Sequence, residues 1–407
     1  MTQRRYDLDW LRIGAFALLI FYHVGMYYVT WDWHVKSRHA STLIEPLMLL
    51  SSPWRLTLLF LISGAATRFM ADKMSTWHLA KARMGRLWPP LLLAMFVIVP
   101  PQSYYEILEA ATALGQSPGP WLENFYVKYV TGSGNWCDAD GCLSTPTYNH
   151  MWFVAFLIIY SIALLPLLPL LRHAPKALSV LIKGPGLFLT PWLFLFVTRV
   201  TLFPIFGVSH DFREDGYLHV LYFGTFLFGF AIAKHQPFFD ACVRWRWLAL
   251  GAMFIAWGAL MAYYNAWSGG GTPPEWMRNT FRGAREMQAW TAIVALIGFA
   301  HRYLRLADGP VRRVLTQAIF PVYLIHQTII VVAAHYLGQA GLPVAVKGAG
   351  PAYGPVTSKP SARSIAMTLS SPARWPAPTA MRRVPGVSSI ATICGAQVSL
   401  RSFRRAS

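Results

Sequence analysis

Residues 7–23 of the chain read DLDWLRIGAFALLIFYH, an apolar and aromatic run that contains two basic or titratable side chains, Arg12 and His23. An ionisable residue inside a membrane span is costly, so it indicates a functional site. The spacing is close to three helical turns, which places both side chains on one helix face, about 16 Å apart along the axis. If Arg12 lies at the cytoplasmic surface, His23 lies near the middle of a hydrocarbon core about 30 Å thick.

The composition is typical of a membrane protein with several spans. Among 407 residues, 55% are hydrophobic and 13% are charged, and the chain has 17 Trp and 25 Phe, as expected for aromatic belts at the membrane surfaces. A formal net charge of +19 is compatible with nucleic-acid binding, but most basic residues flank apolar stretches. We therefore predict an all-α, polytopic membrane helix bundle with no nucleic-acid partner.

Nine stretches are apolar enough to span the membrane as helices, although the third and the eighth are short. They are 11–30, 48–67, 88–101, 151–171, 186–206, 217–234, 247–266, 289–304 and 316–338. Alternate connections differ more than twofold in their number of Lys and Arg residues, and the positive-inside rule then places the N-terminus in the cytoplasm. The first stretch lacks a small-residue cleavage site, so we expect a retained helix.

Two further arginines lie inside apolar stretches, Arg55 in the second and Arg199 in the fifth. Each could extend its side chain toward the lipid headgroups. Alternatively, the two could form a cationic pocket on the outer side, near the point that His23 reaches. The sequence leaves both interpretations open.

The longest outer connection, about 102–149, contains the sequence NWCDADGC at 135–142. The spacing of Cys137 and Cys142 matches neither a zinc finger nor a C-x-x-C redox motif. If this loop faces the periplasm, we expect the two cysteines to form a structural disulfide. No metal site is predicted.

The end of the chain differs from the rest. We predict a membrane domain at 1–338 and a disordered basic tail at 339–407. From Gly341 onward there are nine basic residues, no Asp or Glu, and no apolar run long enough to span, so burial cannot offset the entropy of ordering. A natural basic tail is one interpretation, and we favour the other, an out-of-frame translation of a GC-rich gene.

Five motifs resemble those of the acyltransferase-3 family of bacterial integral-membrane O-acyltransferases, over residues 6 to about 338. They are Arg12 with His23, Ser63 and Gly64 in LFLISGAATRF, Arg83 and Arg86 before Pro89 in KARMGRLWPP, HMWFV at 150–154, and FPVYLIHQ at 320–327. WDWHVKS at 31–37 and TRVTLFPIF at 198–206 look closest to the periplasmic-glucan succinyltransferase branch. The family usually has one span more, and the missing one falls where the tail begins.

The resemblance implies transfer of an acyl group, of acetyl or succinyl type, from cytoplasmic acyl-CoA to hydroxyls of a cell-envelope or periplasmic glycan. The enzyme would be a multi-pass protein of the bacterial inner membrane, in contact with lipid and with proteins of glycan synthesis. Arg83 and Arg86, with Arg12, would bind the CoA phosphates, and a neutral His23 would be the general base. Direct transfer and an acyl-His intermediate both stay open. Acyl-CoA is a co-substrate, and no permanently bound cofactor is expected.

Other side chains in these stretches have a functional and a structural interpretation. The set that we expect to bind substrate or to support the site consists of Arg55, Ser63, His150, Arg199, Tyr323 and His326. Tyr323 and His326 lie about one turn apart on one helix face. A structural hydrogen bond between helices explains His326 equally well, and an interfacial position explains His150.

Two other classes of protein compete with an acyltransferase. A transporter or flippase also has many spans and internal charges, but no inverted repeat is visible and acidic residues are almost absent from the predicted spans. A non-catalytic partner of a glycan synthase would not need His23. Radiolabel passing from acyl-CoA to glycan would separate an acyltransferase from a transporter.

Overall fold

The computed structural model describes residues 5–138, 141–173, 182–268 and 271–340. The chain is α-helical apart from one two-residue ladder, in agreement with the predicted class. The helices are α1 (Tyr6–Tyr28), α2 (Glu45–Ser51), α3 (Arg55–Ala71), α4 (Thr76–Leu93), α5 (Pro100–Ala113), α6 (Pro118–Leu122), α7 (Phe125–Thr131), α8 (Trp152–Leu164), α9 (Leu168–His173), α10 (Gly186–Phe206), α11 (Gly216–Ile232), α12 (Gln236–Ala266), α13 (Glu275–Tyr303) and α14 (Pro310–Gln339). The predicted tail lies outside the described residues from 341 onward.

Seven helical segments in the described part of the chain are long and apolar enough to cross a membrane. They are Tyr6–Tyr28, Glu45–Ala71, Thr76–Ala113, Asn149–Leu171, Gly186–Phe206, Gln236–Ala266 and Pro310–Gln339. The predicted sixth span corresponds to α11, which is apolar but shorter, and the predicted eighth lies within α13, which is not among the seven. The protein is thus a multi-pass membrane protein, while the predicted count of nine and the cytoplasmic N-terminus stay predictions.

The third predicted span is much longer than its apolar core of 88–101. A π-helical turn at Ala94–Ile98 joins α4 to α5, so the helical segment continues from Thr76 to Ala113. π-Turns free backbone groups and are frequent at functional sites. Here the hydroxyl of Thr328 on α14 donates to the carbonyl oxygen of Ile98 at 2.7 Å. The turn therefore binds α14 beside the histidines described below.

Two glycines bring α3 and α11 into backbone contact. A Cβ added at Gly64 would lie 1.9 Å from the carbonyl oxygen of Phe226, and one at Gly229 would lie 2.0 Å from that of Leu61. Small residues allow such close approach between membrane helices. The Ser63–Gly64 motif thus positions α3 against α11. The backbone carbonyl oxygen of Ser63 accepts a hydrogen bond from the side-chain hydroxyl of Thr67 at 2.7 Å.

Ion pairs connect the first turn of α1 with α13 and α14. Asp7 accepts from Arg5 at 2.6 Å and lies 2.8 Å from Nδ1 of His301. Arg312, buried at the start of α14, pairs with Asp9 at 2.8 Å. From the sequence, Arg312 is counted only as a basic residue of a connection between spans. In the structure it also connects α14 with α1.

The outer connection contains the predicted disulfide. Cys137 and Cys142 are joined by an S–S bond and pair with each other across an antiparallel ladder of β1 (Cys137–Asp138) and β2 (Gly141–Cys142). A 3₁₀ turn at Asn149–Met151 then leads into α8. A second 3₁₀ turn at Leu165–Leu167 separates α8 from α9.

Candidate active site

Two cavities meet at the side chain of His23. The first, of about 310 Å³, is named the arginine cavity because Arg55, Arg199 and Arg285 line it. The second, of about 680 Å³, is named the loop cavity because residues between 32 and 34, between 144 and 149 and between 209 and 213 form most of its wall. Both are lined by the same five side chains, which are those of His23, Trp33, His150, Trp152 and His210. His23 is therefore part of the boundary between the cavities.

A hydrogen-bond chain determines the tautomer of His23. Nδ1 of His326 lies 2.6 Å from the carbonyl oxygen of Tyr323, and because that oxygen can only accept, this Nδ1 carries a proton. In the neutral ring, Nε2 of His326 is then an acceptor, so Nδ1–H of His23 donates to it across 2.8 Å. The same rule assigns the lone pair of neutral His23 to Nε2. His23 is thereby prepared to accept a proton at Nε2.

Two further predicted site residues, Tyr323 and His150, are connected to this chain of hydrogen bonds. The hydroxyl of Tyr323 donates to the carbonyl oxygen of His150 at 2.5 Å, and Nε2–H of His150 donates to the carbonyl of Leu324 at 3.1 Å. Nδ1 of His150 then accepts from the Gln102 amide at 3.4 Å. Gln102 is fully buried and also accepts from Asn149 at 3.1 Å. The start of α8 is therefore held against α14.

Three arginines line the arginine cavity, and one buried carboxylate pairs with two of them. Glu286, buried in α13, accepts from Arg285 at 2.9 Å and lies 3.3 Å from Nη1 of Arg199. Arg199 also donates to the hydroxyl of Tyr217 at 2.8 Å. One carboxylate thus serves two guanidinium groups.

Arg55 lies on the same wall and is 5% exposed. Its Nη1 lies 3.4 Å from the hydroxyl of Ser51, and its guanidinium lies 3.3 Å from the centre of the Tyr22 ring. Nε makes no hydrogen bond to the described residues. A buried cation without a carboxylate partner is costly unless a ligand supplies one. The predicted cationic pocket of Arg55 and Arg199 therefore exists, and the structure adds Arg285 to it.

The walls of the loop cavity are held by buried polar contacts. Nδ1–H of His34 donates to Glu106 at 2.7 Å, and Nε2 of the same ring accepts from Gln327 at 2.9 Å. Asp215, fully buried, accepts from the backbone N–H of His210 at 3.0 Å. Burial lowers the pKa of His210 to about 4, so its ring is neutral at physiological pH. The cavity is consequently preorganised without a titrating histidine at this position.

Five of the predicted site residues do not line either cavity, and one of them is His326, which contacts His23. Arg12 lies three turns from His23 along α1 and pairs with Asp9 at 3.5 Å. Arg83 donates to the hydroxyl of Ser161 on α8 at 3.0 Å, whereas Arg86 is exposed and Ser63 is half-buried. Arg12 and His23, both predicted to be catalytic, are thus separated along α1 as their spacing predicts. Their catalytic role and the CoA-binding role of Arg83 and Arg86 stay predictions.

The sequence misses several side chains of the site. Arg285 and Glu286 precede the apolar stretch 289–304 and therefore look like residues of a polar connection, but they lie in the middle of α13. Arg285 lines the arginine cavity, and Glu286 pairs with it. Glu286 lies outside the predicted span 289–304, so the scarcity of acidic residues in the predicted spans gives no indication of it. Trp33 and His210 are loop residues without a periodic pattern. Their aromatic character in otherwise polar segments was the signal available.

A histidine with an acceptor nitrogen thus lies between two cavities of a helical membrane protein. The profile of the family described as an acyltransferase domain, acyltransferase-3, matches residues 5–362. The chain belongs to the acyltransferase-3 family, as its motifs predict, and is an acyltransferase.

Among its relatives are proteins named glucans biosynthesis protein C. The chain is 22% identical over 352 residues to the protein of Escherichia coli O139:H28 (strain E24377A / ETEC). The aligned region covers 83% of this chain and 84% of the relative. It is 23% identical over 352 residues to that of strain K12, with the same coverage. The protein from Escherichia coli O1:K1 / APEC is 24% identical over 349 residues, again with 83% and 84% coverage. No solved structure matches the chain.

Proposed function

We propose that this protein transfers an acyl group from cytoplasmic acyl-CoA to a hydroxyl of a cell-envelope or periplasmic glycan, within the bacterial inner membrane. The observation that carries the proposal is the hydrogen-bond chain from Tyr323 through His326 to His23, which leaves Nε2 of His23 as the acceptor between two cavities. Family membership supports acyl transfer. The glycan acceptor is inferred from the names of the relatives.

The reaction needs a base for the acceptor hydroxyl. As the hydroxyl oxygen bonds to the acyl carbonyl carbon, Nε2 of His23 takes the hydroxyl proton. The C–S bond of the thioester then breaks, and the proton returns from His23 to the leaving CoA sulfur. The products are a glycan ester and CoA, and the histidine is neutral again.

His326 assists this step by stabilising protonated His23. When Nε2 is protonated, Nδ1–H of His23 still donates to Nε2 of His326, and the hydrogen bond becomes charge-assisted. The Tyr323 carbonyl keeps His326 in the tautomer that can accept. This arrangement resembles the orienting group of a nucleophile–base–orienter triad, with a neutral ring in place of a carboxylate.

The charges near His23 favour an acyl group with its own carboxylate, and we therefore propose the succinyl type over the acetyl type. Arg55 contacts the Ser51 hydroxyl and the Tyr22 ring, and Arg199 and Arg285 share Glu286. A terminal carboxylate on the acyl group would supply Arg55 with a charge-assisted partner. An acetyl group would leave the buried guanidinium without one.

The CoA moiety is proposed to bind near α4. Arg83 is held by Ser161, and its Nη2 makes no hydrogen bond to the described residues. Arg86 lies one turn further along the same helix and is exposed. Guanidinium groups bind phosphates in a bidentate manner. On this basis α4 holds the CoA phosphates and the arginine cavity holds the acyl end.

Membrane vesicles with exposed cytoplasmic faces provide the test. They are loaded with glucan in the lumen, which corresponds to the periplasm, and radiolabelled succinyl-CoA is added outside. The glycan fraction is then analysed for alkali-labile label. We expect label with the natural protein and none with His23→Ala, whereas His39→Ala, an exposed histidine outside both cavities, should keep activity. Covalent label at the natural level in well-inserted His23→Ala would refute the role of His23, and absence of label with every glycan and acyl-CoA would favour a transporter.

A further inference from the structure

The loop cavity has no role in the reaction as described so far. It is larger than the arginine cavity, at about 680 Å³, and touches it at His23 and four other shared side chains. Its volume is in the range of about 300–1,000 Å³ that is usual for small-molecule sites. His23 lines both cavities, so a molecule in the loop cavity lies next to the same histidine as a molecule in the arginine cavity.

The walls of this cavity are fixed before any ligand binds. The Tyr148 hydroxyl donates to the carbonyl oxygen of His210 at 2.9 Å and accepts from the backbone N–H of Phe212 at 3.1 Å. Asp215 holds the same loop from its other end through the N–H groups of Ser209 and His210. Preorganised walls reduce the ordering cost of binding. This argues for a binding site and against a loosely packed vestibule.

The loop cavity differs chemically from the arginine cavity. Its wall combines aromatic rings, including Trp33 and Tyr148, with hydrogen-bonding groups such as Asp32, Asn149 and Asp211. Asp32 and Asp211 line this cavity together with Arg213. The cavity therefore lacks the cationic excess that surrounds Arg55. Aromatic faces pack against apolar C–H surfaces, and carboxylate and amide groups accept hydrogen bonds from hydroxyls. Both features occur together on the ring of a neutral sugar.

We infer that the loop cavity is the acceptor site and binds a glucose unit of the glycan, with Trp33 as the stacking surface. The inference rests on the proposed function. It means that the sugar hydroxyl and the acyl thioester approach His23 from two cavities and are bound at the same time. Transfer is then direct: the hydroxyl gives its proton to His23, bonds to the acyl carbon and releases CoA, with no acyl-His intermediate.

The test separates acceptor binding from catalysis. The full-length His23→Gln protein, which cannot turn over, is titrated in detergent with a linear glucose oligosaccharide, with and without CoA. We expect binding in both titrations, and loss of binding when Trp33→Ala is added. In the active protein, Trp33→Ala and Asp32→Asn should each raise the acceptor KM by about tenfold. Asp32 lines the loop cavity and not the arginine cavity, so Asp32→Asn should leave the acyl-CoA KM the same. Trp77→Ala, on the exposed face of α4 outside both cavities, is the matched control.

The outcomes distinguish the two proposals. If the natural protein labels no glycan at all, the proposed function fails. If it labels glycan but Trp33→Ala and Asp32→Asn both keep the natural acceptor KM, the loop cavity is not the acceptor site. Oligosaccharide that competes with CoA, or an acyl group trapped on His23 in the absence of glycan, would overturn simultaneous binding. Unchanged CoA affinity in Trp33→Ala shows that the variant is folded, so a KM effect can be interpreted.

Discussion

The hydrogen bond between His23 and His326 makes a quantitative prediction. His326→Ala removes the acceptor of Nδ1–H of His23, so the imidazolium formed during transfer loses a charge-assisted hydrogen bond. Such a bond contributes about 1.5–3 kcal/mol, which corresponds to a decrease in kcat of about 10- to 150-fold. The acyl-CoA KM should change little, because His326 does not line the arginine cavity.

The decisive measurement is a double-mutant cycle on kcat for acyl transfer in membrane vesicles. His23→Ala should cost at least the contribution of a general base, about 10²–10⁴-fold. If His326 acts through His23, the His23→Ala/His326→Ala protein should be no slower than His23→Ala alone, since residues that act as a unit are not additive. His326→Gln, which offers an acceptor oxygen, should recover part of the activity.

A matched control excludes a general effect on α14. His335 is buried on the same helix, hydrogen-bonds to Glu109 at 2.9 Å and lines neither cavity. His335→Ala should therefore leave kcat near the natural value. A natural kcat in His326→Ala, or full additivity of the two substitutions, would refute the proposed relay.

Arg55→Gln should raise the KM for succinyl-CoA, because the lost charge-assisted contact contributes about 1.5–3 kcal/mol, and should leave the KM for acetyl-CoA unchanged. Steady-state kinetics with both donors test this, and equal effects on the two donors would disprove carboxylate recognition. The Arg83→Ala and Arg86→Ala variants should each weaken CoA binding by roughly 1.5–3 kcal/mol, measured by titration in detergent, and unchanged affinity in the double variant would leave both as topology charges. Glu286→Gln should destabilise the fold by about 3–5 kcal/mol, since Arg199 loses its buried carboxylate; thermal unfolding in detergent checks this, and a natural Tm would contradict it.

The structure brings together several predicted site residues that lie in apolar runs, while their roles stay predictions. His23, Arg55, Arg199 and Tyr323 line the arginine cavity, and the high cost of polar groups in a membrane explains why the sequence exposes them. Ser63 belongs to the same family signature but lines neither cavity, and its neighbour Gly64 allows the backbone contact of α3 with α11. A motif therefore identifies a constrained position without specifying whether chemistry or packing constrains it.

Charged residues just before an apolar stretch are not recognised as site residues from the sequence. Arg285 and Glu286 look like residues of an outer connection, because hydropathy assigns polar residues to water. The pair is nevertheless buried in α13, where each charge satisfies the other and Glu286 also serves Arg199. Such mutual compensation depends on α10 and α13 lying side by side, which local composition does not report.

The sequence by itself determined the helical class, the membrane embedding and the family, and it supports the prediction that His23 acts as a base. These properties follow from local terms, namely hydropathy, helical spacing and the cost of burying charge. Only the tertiary structure decided which groups act together: His23 and His326 lie 303 residues apart in the chain, and Arg199 meets Glu286 across two helices. Hydrogen bonds and ion pairs require contact within a few ångströms, so the tautomer of His23 and the separation into two cavities arise only when distant helices pack.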